Sequence, residues 1–226
     1  MTNSGDRSGE GGWGAARADL ISWRIERLGG PAAVLVEGGI PDRPERLVRW
    51  CEAERPAVVL GSAQREAPNP WGWEVVRRRT GGAAVYVAPG RLVWADVVLP
   101  RGDPLWSDDV GVAAEWLGDV WSQCLGDVGV SGTTVHRGAM VKGRWSSLVC
   151  FAGVAAGEVV IDGRKVVGIS QRRTKHAALF QCAALLYWDP PDPELEHVAI
   201  GMVEALGRPL DPAQVEATFV ARLPRS

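Results

Sequence analysis

The sequence predicts a single α+β domain, mostly antiparallel sheet with packed helices, and three observations carry that expectation. Short segments rich in Val, Leu and aromatics, separated by Gly and Pro, dominate the first half of the chain. One amphipathic stretch of helical period follows near the middle. Strand texture then returns until two openings, each an acidic residue followed by proline, near the end. No repeat of fixed period and no internal linker divides these segments, so one domain over residues 20–222 accommodates them.

In chain order, "AAVLVEG" (32–38), "PAVVLGSA" (56–63), "WEVVRRR" (73–79), "AAVYVA" (83–88) and "RLVWADVVLP" (91–100) read as strands. A helix is expected within "WSDDVGVAAEWLGDVWSQCLGDVGV" (106–130), capped by Ser107 or Asp108, with Val112, Trp116, Leu117, Val120, Trp121 and Cys124 on its apolar face. After it, "TTVHRG" (133–138), "WSSLVCFAG" (145–153), "GEVVI" (157–161), "RKVVGIS" (164–170) and "AALFQCAALLYW" (177–188) read as strands again. Asp162 and Gly163 occupy the centre of a tight hairpin loop, where positive φ is required and both residues tolerate it. Lys165 therefore stands just beyond that turn. "DPELEHVAIGMVEALG" (192–207) and "DPAQVEATFVARL" (211–223) each predict a short helix.

Composition narrows the function classes. The chain has 226 residues, a formal net charge of -2 and 46% hydrophobic residues. It is long enough for a sizeable core, and its charge argues against a nucleic-acid partner held by bulk attraction. Recognition of anions must then be local. Apolar runs such as "AAVLV" and "AALL" fall far short of the ~20 residues of a bilayer span. The first 14 residues are Gly-rich and polar without an apolar signal core, which predicts a disordered tail on a cytoplasmic protein. Cys51, Cys124, Cys150 and Cys182 are scattered, and His136, His176 and His197 do not pair with them at metal-ligand spacing. No metal site is expected, and buried reduced thiols are the default.

Two stretches could carry chemistry. In "RRRTGGAAVYVAPGR" (77–91) a glycine pair between strands lets backbone N–H groups approach an anion, with Arg77, Arg78 and Arg79 beside the turn. A hairpin with surface arginines would look the same, and no Walker or dinucleotide fingerprint is present. In "GRKVVGISQRR" (163–173) a strand lysine lies between glycines that leave room for a ligand against the backbone. An exposed strand lysine is the plain alternative.

Together and in this order, "PAVVLGSAQ" (56–64), "RRRTGGAAV" (77–85), "CFAG" (150–153), "GRKVVGISQRR" (163–173) and "ALFQCAALL" (178–186) resemble the biotin and lipoate protein ligase superfamily, in its lipoate-protein ligase A and octanoyltransferase branch. The resemblance implies one ligase-type catalytic domain without a C-terminal accessory domain. It implies a lipoyl or octanoyl group transferred through an acyl-adenylate, formed from ATP with Mg2+, to a lysine of a lipoyl domain. The acceptors would be of the 2-oxoacid dehydrogenase E2 or glycine cleavage H protein type. Lys165 would touch the acyl carbonyl and the phosphate, Arg78 the phosphates or acyl carboxylate, and the turn Gly81, Gly82, Ala83, Ala84, Val85, Tyr86 would form a backbone cradle, with Gly168 beside the ligand. In the ATP-independent alternative, Cys150 or Cys182 takes the acyl group from acyl carrier protein as a thioester. The basic run "QRRTKH" (171–176) offers either acidic partner a docking charge. The chain departs from the family at Ala83, where a third glycine is usual, at Val87 and Ala88, where a His-Asp pair is usual, and at Arg91 in place of asparagine. Ala183 replaces a later glycine, with Cys182 where a histidine often stands. These losses leave a non-catalytic binding relative as the rival class.

Overall fold

A computed structural model describes residues 22–225; the expected tail over 1–14 lies outside them. The chain begins with β1 (Arg24–Gly30), α1 (Ala32–Glu37) and β2 (Leu47–Ala53). β1 and β2 run parallel, a pairing that needs a crossover, and α1 provides it. The sequence reading made 32–38 a strand. Pro31 fits a helix start, and Ala32, Leu35 and Val36 are buried at the i, i+3, i+4 spacing of one helix face.

β3 (Ala57–Leu60), β4 (Glu74–Arg77) and β5 (Val85–Val87) form a small sheet in the order β4-β3-β5. β6 (Leu92–Pro100) belongs to the large sheet, and α2 (Glu115–Asp127) packs beneath it. The predicted caps of α2 are not used. Ser107 Oγ accepts from Asp109 N at 3.2 Å and Asp108 Oδ1 from Trp106 Nε1 at 2.9 Å, and the helix opens only at Glu115.

β7 (Thr133–Val135), β8 (Val141–Lys142) and β9 (Gly153–Val154) are short. "WSSLVCFAG" is not a strand: it folds as turns and a 3-10 segment, Cys150–Ala152, before β9. β10 (Val159–Ile161), β11 (Arg164–Arg173) and β12 (Ala177–Leu185) complete the seven-stranded sheet β1-β2-β6-β12-β11-β10-β7, antiparallel except for β1 with β2.

The segment 192–207 splits. Asp192 caps only a 3-10 turn, Pro193–Leu195, and the next residues are drawn into a parallel bridge: Lys165 N donates to Val198 O, and Ile200 N donates to Lys165 O. α3 (Met202–Leu206) starts anew, and α4 (Pro212–Arg222) follows with Asp211 capping Ala213 N at 2.9 Å, as expected. One face of the large sheet carries Val48, Trp50, Ala95, Val97 and Phe180 against Trp121 of α2 and Phe219 of α4. The other face lies under the small sheet. Among the described residues no helix is long and apolar enough to cross a membrane.

Candidate active site

The site forms where the small sheet covers the large one. An irregularity in the β10–β11 register aims its lysine. Val159 pairs with Val167 but Val160 pairs with Lys165, so Val166 is the extra residue. Val166 and Val167 can then both pack into the helix-side core, and Lys165 and Gly168 share the opposite face. Strict alternation would have separated them; a bulge re-aims side chains in this way.

Lys165 is only 1% exposed. Its Nζ lies 2.7 Å from Glu158 Oε2, donates to the carbonyl of Cys150 at 2.8 Å and sits 5.4 Å from the centre of the Phe151 ring. An open cleft runs past it, lined by Gly81, Gly82, Ala83, Cys150, Glu158 and Ser170 among others. The glycine turn and the lysine, more than 80 positions apart along the chain, therefore face one space. Among the described residues the N–H groups of Gly81, Gly82 and Ala83 have no protein hydrogen-bond partner.

Beneath the cleft lies a narrow apolar pocket of roughly 40 Å³, walled by Val59, Val85, Val87 and Leu92, with Phe151, Gly168 and Ala183. Its polar side is a buried hydrogen-bond chain. Ser170 Oγ donates to Thr80 Oγ1 at 3.0 Å, Thr80 donates to Gln181 Oε1 at 2.7 Å, and Gln181 Nε2 donates to Asp96 Oδ1 at 3.1 Å. Cys150 lines both the cleft and the pocket.

Several residues singled out in the sequence stand elsewhere than the resemblance implied. Arg78 is 4% exposed and lines the apolar pocket rather than the cleft; its guanidinium donates to the carbonyls of Val59, Gly81 and Ala83 and so braces the turn from below. Burial lowers its pKa, and the nearby Cys150 thiol opposes that shift. The cradle stops at Ala83. Ala84 is buried in a bridge to Val149, and alternation along β5 sends Val85 into the pocket but Tyr86 to the far side, where its hydroxyl donates to Pro68 O at 2.8 Å. Cys182 is buried in the helix-side core, and burial pushes its thiol up to about 12, which favours the protonated form over the thiolate. Cys150 is only partly buried, against the expectation for all four thiols.

Sequence reasoning missed Glu158 and Gly61. Glu158 carried one faint signal, an acid opening an otherwise apolar strand. Gly61 follows β3, and a Cβ there would fall 1.7 Å from the Gly82 carbonyl oxygen, so the two backbones touch directly.

Comparison with known proteins agrees with this architecture. Ta0514 of T. acidophilum, solved with bound lipoic acid, superposes with a TM-score of 0.69 at 16% identity, covering 89% of this chain and 83% of that one. A lipoate-protein ligase A solved with ATP gives 0.66 at 15% identity, with 89% and 83% covered. The bipartite lipoate protein ligase of Thermoplasma acidophilum, described with its E2 lipoyl domain, gives 0.64 at 16%, with 89% and 82% covered. At such identities the likeness is one of fold. No curated protein matches the chain. The sequence itself matches the lipoyl protein ligase A/B catalytic domain over residues 36–219, most of its length, and by that match the chain belongs to this family.

Proposed function

We propose that the protein transfers a lipoyl or octanoyl group to a lysine of a lipoyl-type acceptor domain, and that the group passes through a thioester on Cys150. The observation that carries this reading is the place of Cys150, the only partly exposed thiol among the described residues, where the apolar pocket opens into the cleft that Lys165 lines. The acyl tail occupies the pocket while its carbonyl sits at the thiol. In the first step the Cys150 thiol gives up its proton as its sulfur attacks the carbonyl carbon of an acyl thioester such as that of acyl carrier protein; the new S–C bond forms, the donor's C–S bond breaks, and the donor sulfur leaves carrying that proton. In the second, the neutral acceptor amine attacks, a C–N bond forms, and the Cys150 sulfur leaves and recovers the amine's proton. In both steps the carbonyl oxygen gathers negative charge. The ammonium of Lys165 and the unbonded N–H groups of Gly81, Gly82 and Ala83 are donors of the kind that stabilise it.

The acyl-adenylate route is the second reading, favoured by those same N–H groups, which suit a phosphate oxygen. ATP would supply the activated anhydride and Mg2+ the counter-charge on its phosphates. The residues fit this group less well. Lys165 is the one cation among the residues lining the cleft, and Glu158 already matches its charge. Glu158 is the one acid there, and its oxygens are taken by Lys165 and two backbone N–H groups, which leaves no carboxylate for a metal.

Incubating the full chain with a lipoyl acceptor domain and either octanoyl-acyl carrier protein, or octanoate or lipoate with MgATP, decides between them by the mass of the acceptor. Transfer from the carrier without ATP, an acyl-enzyme released by hydroxylamine, and loss of both in Cys150→Ser are expected. Transfer that requires ATP and survives Cys150→Ser establishes the adenylate route instead. Binding without transfer from any donor sinks both.

A further inference from the structure

We propose that Glu158 is the positioning residue of this site: by its ion pair it holds the ammonium of Lys165 where an N–H can reach the acyl carbonyl oxygen. The inference rests on the reading that the acyl group is activated beside Lys165.

The carboxylate is itself fixed before the lysine reaches it. Glu158 is 3% exposed; its Oε2 accepts from Ala155 N at 2.7 Å and its Oε1 from Ile169 N at 3.0 Å. These two backbone donors come from different segments, the turn before β10 and the middle of β11, so the carboxylate bridges them. Lys165 then meets Oε2 at 2.7 Å. An ammonium has three N–H donors. Nζ donates to the carbonyl of Cys150 at 2.8 Å and stands against Glu158 Oε2 as an ion pair, and among the described residues it makes no other hydrogen bond, so donor capacity remains. Lys165 also lines the cleft, so that remaining capacity is open to the space where the acyl group is proposed to lie.

The backbone gives the same rigidity. Lys165 is paired with Val160 of β10 on one side and bridged to Ala199 on the other. A long flexible side chain thereby loses its freedom before a ligand arrives, and removal of the carboxylate frees Nζ to move toward Cys150 O or the Phe151 ring. Because the same ammonium holds the Cys150 carbonyl, Glu158 also fixes indirectly the residue that bears the thiol. Arg78, the other cation near Cys150, spends both Nη groups on the carbonyls of Val59, Gly81 and Ala83.

The test is a mutant cycle on the full chain, read as acyl transfer to the acceptor domain, with thermal melting as the check on folding. Glu158→Gln is expected to lower kcat by about 100-fold, the scale of a ~1 Å misplacement, with KM for the acceptor unchanged. Lys165→Met is expected to lose a similar factor, and Glu158→Gln added to Lys165→Met to cost nothing more, because Glu158 acts only through the lysine. A purely structural role predicts losses that multiply. Glu158→Asp keeps the charge but withdraws it by one methylene; it provides the same test if Glu158→Gln fails to fold, with kcat expected to fall by about tenfold or more at constant KM. An active wild type whose Glu158 variants keep kcat within about threefold, or whose losses multiply with that of Lys165→Met, overturns this proposal alone. A wild type that transfers from no donor overturns the parent reading and this one with it.

Discussion

Gly81 and Gly82 stand side by side, yet the fold demands glycine at only one of them. Gly82 has φ +98°, and a Cβ there would lie 2.9 Å from Arg78 Nη2, whereas a Cβ at Gly81 meets nothing within 4 Å. Gly82→Ala is therefore expected to cost about 1–3 kcal/mol and Gly81→Ala no more than about 0.5, measured by urea unfolding. The two thiols part in the same way. Cys182→Ala trims a buried side chain on the helix side of β12 and should leave the transfer rate within about twofold, while Cys150→Ala abolishes it. The glycine pair and the lysine were legible because each belongs to a short local pattern. The inward turn of Arg78 was not, since it depends on carbonyls of β3 and of the turn meeting in space.

The β10–β11 hairpin is the element whose sequence states its own geometry. Asp162 and Gly163 have φ of 49° and 77°, the positive pair that a two-residue loop requires. Asp162→Asn should be neutral, and Gly163→Val should lower stability by about 1–3 kcal/mol, again by urea unfolding. Elements whose pattern depends on distant partners were harder to read. β1, "RIERLGG", is a largely exposed edge strand without apolar alternation, and β2 hides Arg49, whose Nε donates to Glu26 of β1 at 2.6 Å. Charge in the sequence there is charge already paired in the sheet. Five apolar residues at 32–36 fit a strand or a buried helix equally, and only the parallel crossover decides for the helix.

At the scale of the molecule, the face of the large sheet that carries the site is also where it buries an acid. Asp96 is fully buried; burial lifts its carboxyl to about 6 from the ordinary 3.8, against the opposing pull of hydrogen bonds from Trp94 and Gln181 and of Arg49, 3.8 Å away. The folded chain thus keeps a proton that the unfolded chain releases. This contribution to stability is complete below about 3.8 and is lost as pH rises through about 6. Asp96→Asn, which cannot ionise, should gain stability relative to wild type between pH 4 and pH 7, by on the order of 3 kcal/mol. Melting temperatures of the two proteins across that range check it; parallel curves refute it. The α+β class, the helix-capping Asp211 and the facing of the glycine turn and Lys165 could all be anticipated from residue order. The division into a cleft and a pocket could not, because it arises from one sheet lying over another. Where those layers meet, Gly61, just past β3, rests on Gly82 with main chain against main chain. Mutation can redecorate every side chain in the hollow below, but it cannot thicken or thin a peptide group. The lip of that hollow is thus set by the one component that all twenty amino acids share, and relatives with different linings can inherit the same doorway.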